Sequence, residues 1–371
     1  MKFIKRLITL ILILLIILLL RHLYSIFKED NVSLGEFNLP FYSGTPDSII
    51  NVDNKSTFSA ADISGISDSD SDSDSLAYSD TATSSNPYKY YYNQLDTNSK
   101  IIYSKLEANI PNLKKNNLKI SFSTQFNRLL NQPNGTKELS KSFQAAVDAF
   151  FYDHPELFYI DLTQMSLYTK STSFAGKTTY NVSIIPSSNN YLDSQFSTEA
   201  SAEKAEKSVE AVRNSLVKKV SGDTYHKILQ IHDTLVNILQ YDSTLSRPNT
   251  HNIYGALIER KVVCEGYAKS LKYILDSLNI PCILVGGTAT NSSGKTETHM
   301  WNYVQINDKW YGIDPTWDDP IIVGSSSKNT IRHDYLCKGS LVFNKSHVVS
   351  NTISEKGIKF KVPTLSVENY R

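Results

Sequence analysis

Asn307-Asp308 separates two runs of alternating apolar and polar residues, 298–306 and 309–314. A two-residue turn between such runs leaves the pairing of the flanking strands no freedom. Ile306 must face Lys309, and counting outwards puts Trp301 opposite Asp314. Side chains alternate by twos along a strand, so His299 shares a face with Trp301 and Asp314 lies diagonal to it on that face. A carboxylate there can accept from one imidazole nitrogen and leave the other free to meet a thiol. A slip of one residue would turn Asp314 to the opposite face. Taken singly, His299 reads as a half-exposed strand histidine and Asp314 as the residue that starts the turn at Pro315.

A thiol is available upstream. The stretch 261–279, KVVCEGYAKSLKYILDSLN, sets Ala268, Leu271, Leu275 and Leu278 on one helical face and brings Cys264 into the first turn. Asn279 and Pro281 end the helix. A helix N-terminus offers unsatisfied N–H groups and the positive end of the dipole, which favour a thiolate and the oxyanion formed when a carbonyl is attacked. A buried structural cysteine is the bland alternative for Cys264. A short apolar strand, 283–285, is expected to end at Gly286-Gly287, and a polar loop, 291–297, leads into the hairpin.

Together, "VVCEGYAKSLKYILDSLNIPC" (262–282), "HMWNYVQINDKWYGIDPTWDDP" (299–320) and, more weakly, "ILQIHDTLVNILQYD" (228–242) make residues 223–343 resemble the transglutaminase-like superfamily. The resemblance implies an α+β, papain-like core with the nucleophile helix packed on an antiparallel sheet, preceded by a smaller α+β module. It implies that Cys264, His299 and Asp314 act on peptide or glutamine carboxamides through a Cys264 thioester, as a cysteine peptidase or amidase, or as a transglutaminase. The animal enzymes of the family use a tryptophan upstream of the nucleophile for the oxyanion; here Trp301, Trp310 and Trp317 all follow Cys264. Tyr254 is the candidate donor instead, against simple packing. The calcium sites of the animal enzymes have no recognisable counterpart, and no cofactor is expected. A fold retained without catalysis, as a surface-binding or scaffold protein, is the alternative.

The remainder sets the context. Lys2, Lys5 and Arg6 precede an apolar run from Leu7 to Leu20, with Arg21 and His22 next and no small-residue cleavage site. Residues 1–27 therefore read as a signal-anchor crossing the membrane through residues 7–27, N-terminus inside and the rest outside the cell, with a cleaved signal peptide as the alternative. Residues 28–87 read as a disordered stalk around a Ser-Asp tract at 67–75, which lacks the Gly turn and terminal Glu of a calcium loop. Residues 88–222 form the α+β module and 223–371 the catalytic domain. Helices are expected from 88 to 110, 137–151, 199–220 and 224–240, and strands at 165–169 and 179–184. Protein or peptide substrates are expected, with cell-wall or surface proteins as candidates. A net charge of +1 favours no nucleic-acid partner. Cys282 reads as a buried strand residue, with a disulfide to Cys337 as an alternative; a zinc site on Cys264 and His299 lacks the usual paired spacings. His232 reads as packing and His154 as a turn residue, while His347 has no assignable role.

Overall fold

The sequence ahead of the thiol builds a helix pair and a sheet. Helix α1 (Thr97–Ala108) starts at Asp96, whose side chain accepts from the Ser99 N–H at 2.7 Å. A carboxylate at that position satisfies an orphan donor and complements the dipole. Residues 88–92, expected to open this helix, instead form 3₁₀ turns, Pro87–Lys89 and Tyr92–Gln94. Their backbone donors have a better acceptor: the N–H groups of Tyr91 and Tyr92 reach the Asp153 carboxylate at 3.2 and 2.9 Å. Helix α2 (Gly135–Asp153), expected over 137–151, packs on α1 and buries Phe143, Val147 and Phe150 at helical spacing. His154 caps its C-terminal end and opens the turn Pro155–Leu157, as expected of a turn residue, while its ring bonds Tyr103 and Glu156.

Strands β1 (Asp47–Asn51), β2 (Ile120–Ser123), β3 (Met165–Phe174) and β4 (Lys177–Pro186) form one sheet in the order β1-β3-β4-β2. β3 and β4 run past their expected ends because Ala175 and Gly176 adopt positive φ and close them into a hairpin. β1 comes from the segment expected as stalk; its backbone pairs antiparallel with β3, from Asp47↔Lys170 to Asn51↔Ser166. The structure, a computed structural model, describes residues 47–51, 87–245, 247–319, 331–350 and 359–370. The expected anchor, 1–27, and the rest of the stalk lie outside these. Among the described residues no helix is long and apolar enough to cross a membrane.

The second half is organised around the thiol helix. Helices α3 (Glu199–Val217) and α4 (Thr224–Ile238) precede a parallel pair, β5 (Gln240–Tyr241) and β6 (Lys261–Val262). Helix α5 (Cys264–Ser277) follows directly. Its expected single apolar face is too modest: every residue from Cys264 to Leu275 is buried. The reason is tertiary, since α3, α4 and the turn Pro155–Leu157 pack on α5 as well as the sheet. Its buried charges are paired. Lys269 meets Glu265 at 2.7 Å and lies over the Phe151 ring, and Lys272 meets Asp276 at 2.8 Å and the Cys282 carbonyl at 3.1 Å. Removing one member of such a pair would strand a charge in the interior, at about 3–5 kcal/mol.

The sheet under α5 has the order β10-β7-β8-β9, made of β7 (Cys282–Thr290), β8 (Thr296–Ile306), β9 (Lys309–Ile313) and β10 (His347–Val349). The hairpin register is the one its turn demands: Ile306 pairs with Lys309 and Asn302 with Ile313, which sets Trp301 level with Asp314. Asn307 and Asp308 both carry positive φ, 50° and 60°, the turn whose twist matches its strands. β7 does not end at Gly286-Gly287 but continues to Thr290. A Cβ on Gly287 would stand 2.1 Å from the Val348 carbonyl oxygen and 2.8 Å from the Trp301 ring. Glycine there lets β10 and Trp301 close on the strand. Buried Asn302 then ties β8 to α5 by donating to the Ala268 carbonyl at 3.0 Å. The fold is mixed helix and sheet, with the nucleophile helix on an antiparallel sheet as expected.

Candidate active site

Cys264 is the first residue of α5, after Val263 in extended conformation at the N-cap. The carbonyl of Val263 accepts from Gly266 and Tyr267, so the N–H groups of Cys264 and Glu265 are the orphan donors of the first turn. Gly266 brings the helix start against β6: a Cβ there would meet the Val262 side chain at 2.5 Å. Cys264 is thus held at a rigid corner.

His299, on β8, stands between the sulfur and Asp314. Its Nε2 lies 2.7 Å from Asp314 Oδ2, and the Cys264 sulfur is near enough to act electrostatically on the same ring. With Nε2 engaged by the carboxylate, Nδ1 is the nitrogen left for sulfur. Burial alone would lower the His299 pKa, but the Asp314 carboxylate and the Cys264 sulfur outweigh it and push it up to about 10. Burial would raise Asp314; the His299 imidazolium and its hydrogen bonds hold the acid well below the usual carboxylate range instead. The other oxygen, Oδ1, accepts from the Thr316 and Trp317 N–H groups at 2.9 and 3.3 Å. The three predicted residues converge.

Tyr254 packs elsewhere. Its ring stacks on Phe158 at 5.8 Å and meets Phe196 edge-on at 5.1 Å. Tyr241 stands at the end of β5, level with Val262 and so two residues from Cys264 across the parallel pair. Burial and then the Cys264 sulfur push its hydroxyl pKa up, so it keeps its proton and can donate. Of the three tryptophans, Trp301 is fully buried core, whereas half-buried Trp317 lies 5.4 Å from the His299 ring.

Two histidines carry more than their sequence context suggested. His347 is buried, with Nε2 3.1 Å from Asp314 Oδ2, the oxygen that also faces His299. A three-residue edge strand thirty-three positions beyond Asp314 leaves almost no periodic signal, so only pairing onto β7 reveals it. His232, expected as packing, is fully buried between two acids, with Nδ1 2.9 Å from Asp233 and Nε2 3.1 Å from Asp318. His333 reaches the same Asp233 oxygen at 2.7 Å.

Both clusters, His299-Asp314-His347 and His232-Asp233-His333, bring metal-ligand atoms within 4.8 Å of one another. Their acid–imidazole separations are hydrogen-bond lengths, shorter than the roughly 3.3 Å edge of a tetrahedron built on zinc–ligand bonds of about 2.0–2.1 Å. Protons, rather than an ion, fit these spacings. All three cysteines are free thiols, so the alternative Cys282–Cys337 disulfide is not formed. Burial pushes the Cys337 thiol up to about 12 and that of Cys282 further still.

Residues 210–315, which include all three converging residues, match the family model of the transglutaminase-like superfamily. The kyphoscoliosis peptidase of Mus musculus is 21% identical over 176 residues, covering 43% of this chain and 26% of that protein. The chain thus spans about a quarter of the length of that relative. Among solved structures, a TGase is 15% identical over 44% of this chain and 46% of its own, with a TM-score of 0.28. The periplasmic domain of TgpA from Pseudomonas aeruginosa is 15% identical over 41% and 69%, with a TM-score of 0.24. The superfamily includes cysteine proteases and transglutaminases. Residues 210–315 of this chain form a transglutaminase-like domain.

Proposed function

We propose that the protein is a thiol acyl-transfer enzyme acting on peptide or glutamine carboxamides, with Cys264 as nucleophile. The observation that carries this is the 2.7 Å bond from His299 to Asp314, with Cys264 at the start of its helix near enough to act on the same ring. The Cys264 sulfur attacks the carbonyl carbon, forming a C–S bond as electrons move onto oxygen. The oxyanion is received by the first-turn N–H groups of α5, with Tyr241 as the added donor. As the oxyanion collapses, the C–N bond breaks and the leaving amine or ammonia takes a proton from the His299 imidazolium. Water, or a lysine amine, then gives its proton to His299 and attacks the thioester, releasing acid or a crosslinked amide. Asp314 keeps the ring oriented and stabilises its charged form throughout.

Protein or peptide substrates suit a family of this kind, and cell-wall or surface proteins are the proposed targets. The basic flank and apolar run of residues 1–27 support a single-pass anchor with the enzyme outside the cell.

The decisive experiment incubates the full chain with a glutamine-containing peptide and a labelled amine, while ammonia release and peptide cleavage are followed. Product formation that disappears in Cys264→Ala supports the reading. Equal signals from both proteins would leave a non-catalytic fold.

A further inference from the structure

Asp314 Oδ2 receives two imidazoles, and the chemistry just described uses only one. We propose that His347 is a positioning residue of this site: a neutral imidazole that donates to the Asp314 oxygen shared with His299 and holds the acid in line. The inference deepens the active-site reading and rests on it.

The geometry fixes the tautomer. Asp314 Oδ2 can only accept, so the neutral His347 ring carries its proton on Nε2, 3.1 Å away, while Nδ1 lies 2.9 Å from the Ser346 hydroxyl. The ring cannot turn away, because Phe343 stacks on it at 4.2 Å while Trp301, Trp317 and Tyr335 close its other sides at 4.9, 4.9 and 5.1 Å. Burial and the neighbouring His299 charge keep it neutral, against the pull of Asp314. Neutrality matters, since a second imidazolium 5.8 Å from His299 would repel the charge that the mechanism needs.

His347 also completes a set of donors. Oδ1 is held by two backbone N–H groups and Oδ2 by two imidazoles. Without His347, Oδ2 keeps His299 alone and the carboxylate can rotate off the ring. The strand that delivers His347 depends on Gly287, across which Val349 pairs, and sets His347 level with Ala289.

The test measures iodoacetamide labelling of Cys264 in the full chain across pH, by peptide mass spectrometry. The proteins compared are wild type, His299→Ala and His347→Phe, Asn and Gln. The Gln amide reaches where Nε2 stood, whereas the Asn amide falls short. The Phe and Asn variants should label at low pH roughly tenfold or more slowly, the scale on which outer-shell partners act. Their basic limb should move to lower pH, and Gln should restore most of both. Phe and Asn profiles that superimpose on wild type would overturn the role of His347 while leaving the triad intact. If the Phe variant fails to fold, Asn against Gln decides: equal impairment of the two overturns the proposal. Wild type and His299→Ala labelling alike would remove the triad itself, and this inference with it.

Discussion

Among the histidines buried against acids, His299 and His232 differ in one respect: only His299 lies beside the proposed nucleophile. His299 lies between Asp314 and Cys264, whereas His232 lies between Asp318 and Asp233. In both, burial works against the charged ring and the neighbouring groups overcome it, so both pKa values are raised. The acids differ. Asp314 is held below the usual carboxylate range, whereas burial raises Asp318 despite His232 and the Tyr335 N–H. The difference follows from the donors: Asp314 receives two backbone N–H groups and two imidazoles, Asp318 one backbone N–H and one imidazole. On the function proposed above, a buried histidine–carboxylate pair is a structural device in one place and chemical machinery in the other, and the thiol makes the distinction.

The comparison can be broken at four points. His299→Ala should have the largest effect, abolishing low-pH labelling of Cys264 and slowing turnover by on the order of 10⁶-fold. Retention of either in a folded variant would make the two histidines equivalent. Asp314→Asn should come next, at roughly 10⁴-fold, with the basic limb falling from about 10 towards the ordinary histidine range. The same contact has a stability signature of defined sign. A raised histidine pKa stabilises the fold fully below about 6.5, and that contribution fades as pH rises to about 10. Denaturant titrations across this window should show a decline in wild type that flattens in Asp314→Asn.

His232→Ala should act on stability instead, at about 3–5 kcal/mol, because Asp318 is left buried without its imidazole. The pH profile of Cys264 labelling in the folded fraction should not move; a shift would mean that the two networks are coupled through the 314–318 turn. The smallest effect is expected from His333→Ala, within about 0.5 kcal/mol by thermal melting, since its ion pair with Asp233 is largely exposed.

Much of the site was legible before any coordinates. The Asn307-Asp308 turn and the alternation around it determined the register, and the register determined that His299 and Asp314 share a face. The helix pattern set Cys264 at a first turn, for the equally local reason that apolar spacing and stop signals bound the helix. Strand ends were less legible. β7 outran its glycines because a partner strand from sixty residues away needed the space above Gly287.

What no local pattern decided were the contacts across the fold. His347 reaches Asp314 from an edge strand of three residues, and His232 reaches Asp318 from the middle of α4. Sequence spacing determines which way a side chain points within its own helix or strand. Which groups then meet depends on how separate elements pack, and that is set by the burial of the whole core.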